Sequence, residues 1–133
     1  MIFKKVKEII SKDGVLHFRR WQVIKTRWFA IYIHGIYKAD EDLHLHNHPW
    51  KFVSLILKGS YIERLPGHVI NPRLAGTWVY RDTTRFHQID SLLSLKVYTF
   101  NIMWGFKDTW GYMVRDTFID HKEYRERKNN GQI

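Results

Sequence analysis

Most of this chain reads as short apolar runs at hairpin spacing, separated by polar and glycine-containing turns, the pattern of extended strands. Val15 to Ile24 and Arg27 to Lys38 are rich in aromatic and β-branched residues, and Lys25-Thr26 between them predicts a hairpin turn. In the second of these segments Phe29, Ile31 and Ile33 share one face, and Trp28, Ala30, Tyr32, His34 and Ile36 share the other. Both faces are apolar enough for partial burial, as in a sandwich or barrel. Phe52 to Leu57 is a near-continuous apolar run stopped by Lys58-Gly59-Ser60, and Tyr61 to Leu65 reads as its return strand. Pro66-Gly67 and Asn71-Pro72 bracket an expected loop, and Thr77 to Arg81 follows Gly76 as a further strand. Asp82 to Arg85 is a polar turn before Phe86-His87-Gln88-Ile89; Leu92 to Met103 and Trp110 to Phe118 are the last β-rich segments. Phe3, Val6, Ile9 and Ile10 instead recur at helical spacing, which predicts a short amphipathic helix over 2–11, ended by Asp13-Gly14. Short strands at hairpin spacing, after one N-terminal helix, predict an all-β sandwich or closed barrel. Residues 129–133 are expected to fray.

Composition narrows the chemistry. At 133 residues the chain is expected to form one domain, 1–133, with a real hydrophobic core. It has no cysteine, which excludes disulfides and thiolate metal sites and leaves His, Asp and Glu as the strong ligands. That suits a cytoplasmic protein. No segment has the apolar length of a membrane span, and the lysine-rich start lacks a secretory apolar core, so a soluble protein is expected. The formal charge of +9 raises the question of nucleic acid. The basic residues are dispersed, however, and those from Arg115 to Lys128 interleave with Asp116, Asp120, Glu123 and Glu126 as on a solvated helix or tail. A small molecule is the expected partner.

The stretch His44-Leu45-His46-Asn47-His48-Pro49-Trp50 stands out, because histidines at every second position of an extended chain can converge on one point. His46 and His48 are followed by Pro49-Trp50-Lys51, then Phe52, then six residues to Gly59. Gly76 is followed by five residues, Asp82-Thr83-Thr84, two more residues, His87, and, after three residues, Ser91. Together these resemble the two signature motifs of the cupin superfamily, over about residues 43–91. The first departs from the pattern where Phe52 replaces the glutamate. The second lacks the Pro, the second Gly and the Asn. The His-x-His-Pro-Trp wording also looks like a group of small bacterial and phage cupins.

The resemblance implies a double-stranded β-helix (a jelly-roll barrel) with a divalent metal held by His46, His48 and His87. Fe(II) is favoured, with Mn, Ni or Zn as alternatives, and a dioxygenase-like oxidoreductase is the leading activity. Register against Gly59 prefers His46 and His48 over His44, which is left as a fourth ligand, a group behind the ligands or a proton carrier. Glu63 either replaces the missing carboxylate or faces solvent beside Arg64. Trp50, Phe52, Tyr61, Trp78 and Tyr80 are candidates for the pocket lining, and equally for barrel core. Arg81, ahead of Arg85, is the candidate for binding an anionic substrate. His34, His17, His68 and His121 read as core or surface residues. A rival reading is a metal-independent sugar-nucleotide isomerase, with His87 or His46 as base, Tyr61 or Tyr80 as acid, and a buried carboxylate such as Asp90 behind the base. A non-enzymatic ligand-binding module is a third, since fold does not fix function. Pairing of edge strands from residues 15–38 would give a homodimer.

Overall fold

A computed structural model of the chain describes residues 3–40, 44–107 and 109–133. Glu41 and Asp42 of the expected acidic loop, and Leu43, lie outside them. The described residues form twelve strands and one helix, in order: β1 (Lys4–Ile10), β2 (Leu16–Lys25), β3 (Phe29–Ile36), β4 (Leu45–His46), β5 (Lys51–Lys58), β6 (Tyr61–Leu65), β7 (Val69–Arg73), β8 (Trp78–Arg81), β9 (Gln88–Leu92), β10 (Val97–Trp104), β11 (Gly111–Val114), β12 (Thr117–Asp120) and α1 (His121–Asn129).

The larger layer is a six-stranded antiparallel sheet in the order β1-β2-β3-β10-β5-β8. Two three-stranded sheets, β12-β11-β4 and β7-β6-β9, make the other layer. An antiparallel bridge between His46 and His87 joins them, so the second layer is continuous through that pair. The architecture is the double-sheet jelly roll that closes most of its edges by pairing. In the large sheet alternation decides which face is inside: Phe52, Ser54 and Ile56 of β5, and Val97, Thr99, Asn101 and Met103 of β10, are buried. Two apolar clusters result. Ala30, Tyr32, Phe52 and Met103 pack together with Trp50, and Ile36, Ile56, Tyr61 and Val97 pack with Phe18, Ile89 and Leu92.

Four expectations are corrected. The N-terminal segment is strand β1, not a helix, pairing with β2 from Lys4 opposite Gln22 to Ile10 opposite Leu16. Helical spacing over so short a run is outweighed by a free strand edge and by the β-branched Val6, Ile9 and Ile10. Because β1 covers β2, the outer edge is β1 itself, whose Lys4, Lys5 and Lys7 discourage further pairing; the strands of 15–38 are not free edges. The helix is C-terminal. Asp120 caps α1 by accepting from the Lys122 N–H, and Gly131 N–H to Lys128 O with Gln132 N–H to Arg127 O closes its end. The expected loop after Pro66-Gly67 is one turn of a β6–β7 hairpin that carries Pro72, where β7, as an edge strand, tolerates it. Finally, 110–118 is not one strand but reaches into the hairpin β11–β12, turned by Arg115 and Asp116 at φ 50° and 63°, the conformation of a type I′ turn.

Candidate metal centre

The bridge between the two small sheets builds the site. The His46 N–H donates to the His87 carbonyl at 2.9 Å and the His87 N–H to the His46 carbonyl at 2.8 Å, which fixes the two residues side by side. His48 reaches the same place from a loop, and Asn47 holds that loop. Its Nδ2 donates to Thr83 O at 2.8 Å, its Oδ1 accepts from Gly111 N–H at 2.8 Å, and its own N–H donates to Gly111 O. Asn47 is a positioning residue that strand alternation does not reveal, because its partners come from distant turns.

One ring nitrogen from each of His46, His48 and His87 lies within 4.8 Å of the others. His48 Nε2 and His87 Nε2 are 2.9 Å apart. Two nitrogens each about 2.1 Å from a shared ion have that separation when they meet it near a right angle, so the spacing fits metal ligation. The protonation states fit as well. Burial, then the neighbouring His87, lowers the His46 pKa to about 3, and burial with His87, His46, His34 and Arg20 nearby holds His48 well below 6.5. Both are neutral at pH 7, the form that ligates.

Behind His87 stands Glu63, 1% exposed. Its Oε2 lies 2.8 Å from His87 Nδ1, and its Oε1 accepts from Arg81 Nη2 at 2.6 Å. Burial alone would raise this carboxyl, but hydrogen bonds from His87 and Arg81 and the Arg81 charge more than offset it and hold the pKa at about 2. An ionised carboxylate on Nδ1 places the proton there and leaves the Nε2 lone pair for the centre. Glu63 is therefore engaged by His87 and Arg81 and does not face solvent. Its signal was present in the sequence: on β6 it alternates with Tyr61 and Leu65, a charge on an otherwise apolar face.

The other expected site residues separate. Phe52, where the motif has its glutamate, is buried with its ring 5.3 Å from that of His48, and Trp50 stacks on His48 at 5.7 Å. Both line a cavity of about 350 Å³ with Tyr61, His34, Met103 and the three clustered histidines. Burial raises the Tyr61 hydroxyl to about 12. Trp78 and Tyr80 do not line it; they are 57% and 50% exposed, against Phe100 and Trp104 on the outer face of the large sheet. Arg81 is consumed by Glu63, and Arg85 and Asp90 are exposed. His44 turns away, its Nδ1 3.0 Å from the Tyr124 hydroxyl of α1. His17 lines the cavity rather than the outer surface, His121 stacks on Trp110 at 4.5 Å, and His68 lines a separate groove.

Buried neutral histidines make the metal-free protein acid-sensitive. For His34, His46 and His48 the folded pKa lies below the ordinary 6.5, so the unfolded chain takes up more protons as pH falls. Their contribution to stability is complete above about pH 6.5 and is lost progressively below it. Glu63 acts with the same sign in a lower window, from its ordinary 4.5 towards about 2. The melting temperature of the metal-free protein is expected to fall between pH 7 and 5; a flat profile there would contradict the burial of these imidazoles.

No protein-family model matches the chain, and no curated protein is similar to it in sequence. Solved structures are similar in fold. A cupin-2 domain protein from Rhodospirillum rubrum superposes with a TM-score of 0.63 at 9% identity, over 96% of this chain and 82% of that one. The Fe(II) form of HppE gives 0.62 at 9% identity, over 77% of this chain and 56% of that one. The DMSP lyases RdDddP and RnDddQII give 0.61 at 12% identity, over 77% and 57%. This chain thus spans little more than half the length of these enzymes. The fold is a double-sheet jelly roll similar to that of this cupin-2 domain protein.

Proposed function

We propose that the chain binds one divalent metal through His46, His48 and His87 and acts on a small molecule in the adjoining cavity. The convergence of three ring nitrogens, one of them on a histidine backed by a buried carboxylate, carries this reading. Fe(II) and an oxygenase-like oxidoreductase activity are the favoured specifics, supported by the all-imidazole donor set and by likeness of fold to an Fe(II) protein. A bound ion would supply Lewis-acid or O₂-activating chemistry at positions that the protein leaves open. The chain's own residues do the rest. Glu63 fixes the His87 tautomer, Asn47 holds His48 in place, and Phe52, Trp50 and Met103 keep the surroundings dry.

Elemental analysis of protein purified without chelator is expected to give about one ion per chain, with anaerobic Fe(II) restoring it after removal. If Fe, Mn, Ni and Zn all failed to bind, the reading would be wrong. The Glu63–His87 pair also favours one rival, a metal-independent isomerase with His87 as base and Tyr61 as acid. Glu63 would take the place expected of Asp90. Isomerase turnover in stringently metal-free protein would establish it.

A further inference from the structure

We propose that Arg20 anchors an oxyanion group, a carboxylate or phosph(on)ate, of the small molecule that occupies this cavity. This deepens the metal-site reading and rests on it for the ligand's other end. Arg20 sits in β2 and lines the cavity. Cross-strand register places Lys7, Arg20, His34 and Thr99 in one row on the inner face of the large sheet. The Arg20 guanidinium lies over Tyr32 at 4.7 Å, Trp50 at 5.7 Å and Phe18 at 5.8 Å. Its Nε donates to His34 Nε2 at 3.0 Å, which leaves His34 neutral with its proton on Nδ1. Stacking and this bond fix the plane of the fork.

What the fork lacks is an anion. Among the described residues no carboxylate pairs with Arg20, whereas Arg19 is held by Glu8, Arg81 by Glu63 and Arg127 by Glu123. Its cross-strand neighbour is another cation, Lys7, whose pKa is lowered by burial and then by Arg20. Burial also lowers the Arg20 pKa. A partly desolvated guanidinium beside a like charge is costly unless a counter-ion arrives, and a planar fork takes a carboxylate or phosph(on)ate through two parallel hydrogen bonds. Asp40, which also lines the cavity, is engaged by the Ile89 N–H at 2.7 Å.

Position supplies the second half of the argument. Trp50 stacks on His48 at 5.7 Å and carries the guanidinium at 5.7 Å, so one indole joins the anion anchor to the candidate metal centre. A small molecule could reach the metal with one end and Arg20 with its anionic end. The cavity, about 350 Å³, lies at the small end of the range for ligand pockets.

The test is calorimetric titration of propionate and methylphosphonate into Zn(II)-loaded protein and into the Arg20→Gln and Arg20→Lys variants, with metal content and melting temperature measured on each. The unaltered protein is expected to bind one or both anions, and the tighter one names the class. Arg20→Gln is expected to weaken binding roughly tenfold or more, with Arg20→Lys restoring only part and metal content unchanged. Equal affinity in Arg20→Gln, or no binding of either anion to the unaltered protein, would overturn the proposal. The same titrations on metal-free protein read the Arg20 contribution alone, so failure to load metal counts against the metal assignment and not against Arg20.

Discussion

His87→Ala is expected to abolish stoichiometric metal binding, lowering affinity by at least about a hundredfold. His87 carries more than a ligand atom. It is the residue through which Glu63 and Arg81 orient the cluster, and its backbone forms the bridge that seats His46. Alanine keeps the backbone bridge, so the chain is expected to fold while the centre fails. His46→Ala and His48→Ala should weaken binding as well, whereas His44→Ala should leave metal content unchanged because His44 is engaged with Tyr124. Metal content after dialysis, measured for the four variants side by side, decides the matter. A His87→Ala protein that keeps its ion, or a His44→Ala protein that loses it, would sink the ligand assignment.

Glu63→Ala is expected to destabilise the protein by about 3–5 kcal/mol, the usual consequence of leaving one partner of a buried ion pair alone. The partner left behind is Arg81, whose side chain is 12% exposed. Glu63→Gln keeps the shape and one acceptor but loses the charge, so it should fold better. It should nevertheless bind metal about 10–100-fold more weakly, because His87 loses the carboxylate that sets its tautomer. Pairing Glu63→Ala with Arg81→Ala should recover part of the lost stability, since no buried charge is then uncompensated. Denaturant unfolding of the unaltered protein, Glu63→Ala, Arg81→Ala and the double variant measures the first effect, and metal titration of Glu63→Gln the second. Additive losses in the double variant would show that the two side chains do not interact as described.

The strands of the core were legible as aromatic and β-branched runs stopped by glycine-rich and polar turns, such as Phe52 to Leu57 before Lys58-Gly59-Ser60. Which face of such a run is inside was not legible: Phe52, Ser54 and Ile56 on one strand, and Val97, Thr99, Asn101 and Met103 on another, face inward because the sheet's register puts them there. Local pattern and structure part where tertiary pairing outweighs spacing. The pattern of Phe3, Val6, Ile9 and Ile10 fits a helix on paper, and only the open edge of β2 makes it a strand. Trp78 and Tyr80 read as pocket residues because they are aromatic and lie near the second motif, yet they point to the outer face. Aromatic character marks burial, contact or surface patch alike, and register alone tells them apart.

The same division runs through the site. The spacing of His46 and His48 ahead of Gly59, and of His87 after Gly76, is local information that the chain carries in one dimension, and its resemblance to the two cupin motifs implied a cupin-type barrel and three histidines to test. What surrounds those histidines was decided only in three dimensions. Glu63 and Arg81, 18 residues apart, and Arg20 and His34, 14 apart, meet through sheet pairing and packing between strands. His44 leaves its neighbours because a C-terminal helix offers Tyr124, 80 residues away. Sequence alone determined which side chains alternate and which residue types are near one another along the chain. Tertiary structure decided which charges are paired and which guanidinium faces the cavity, because register and layer packing choose the partners of each buried polar group.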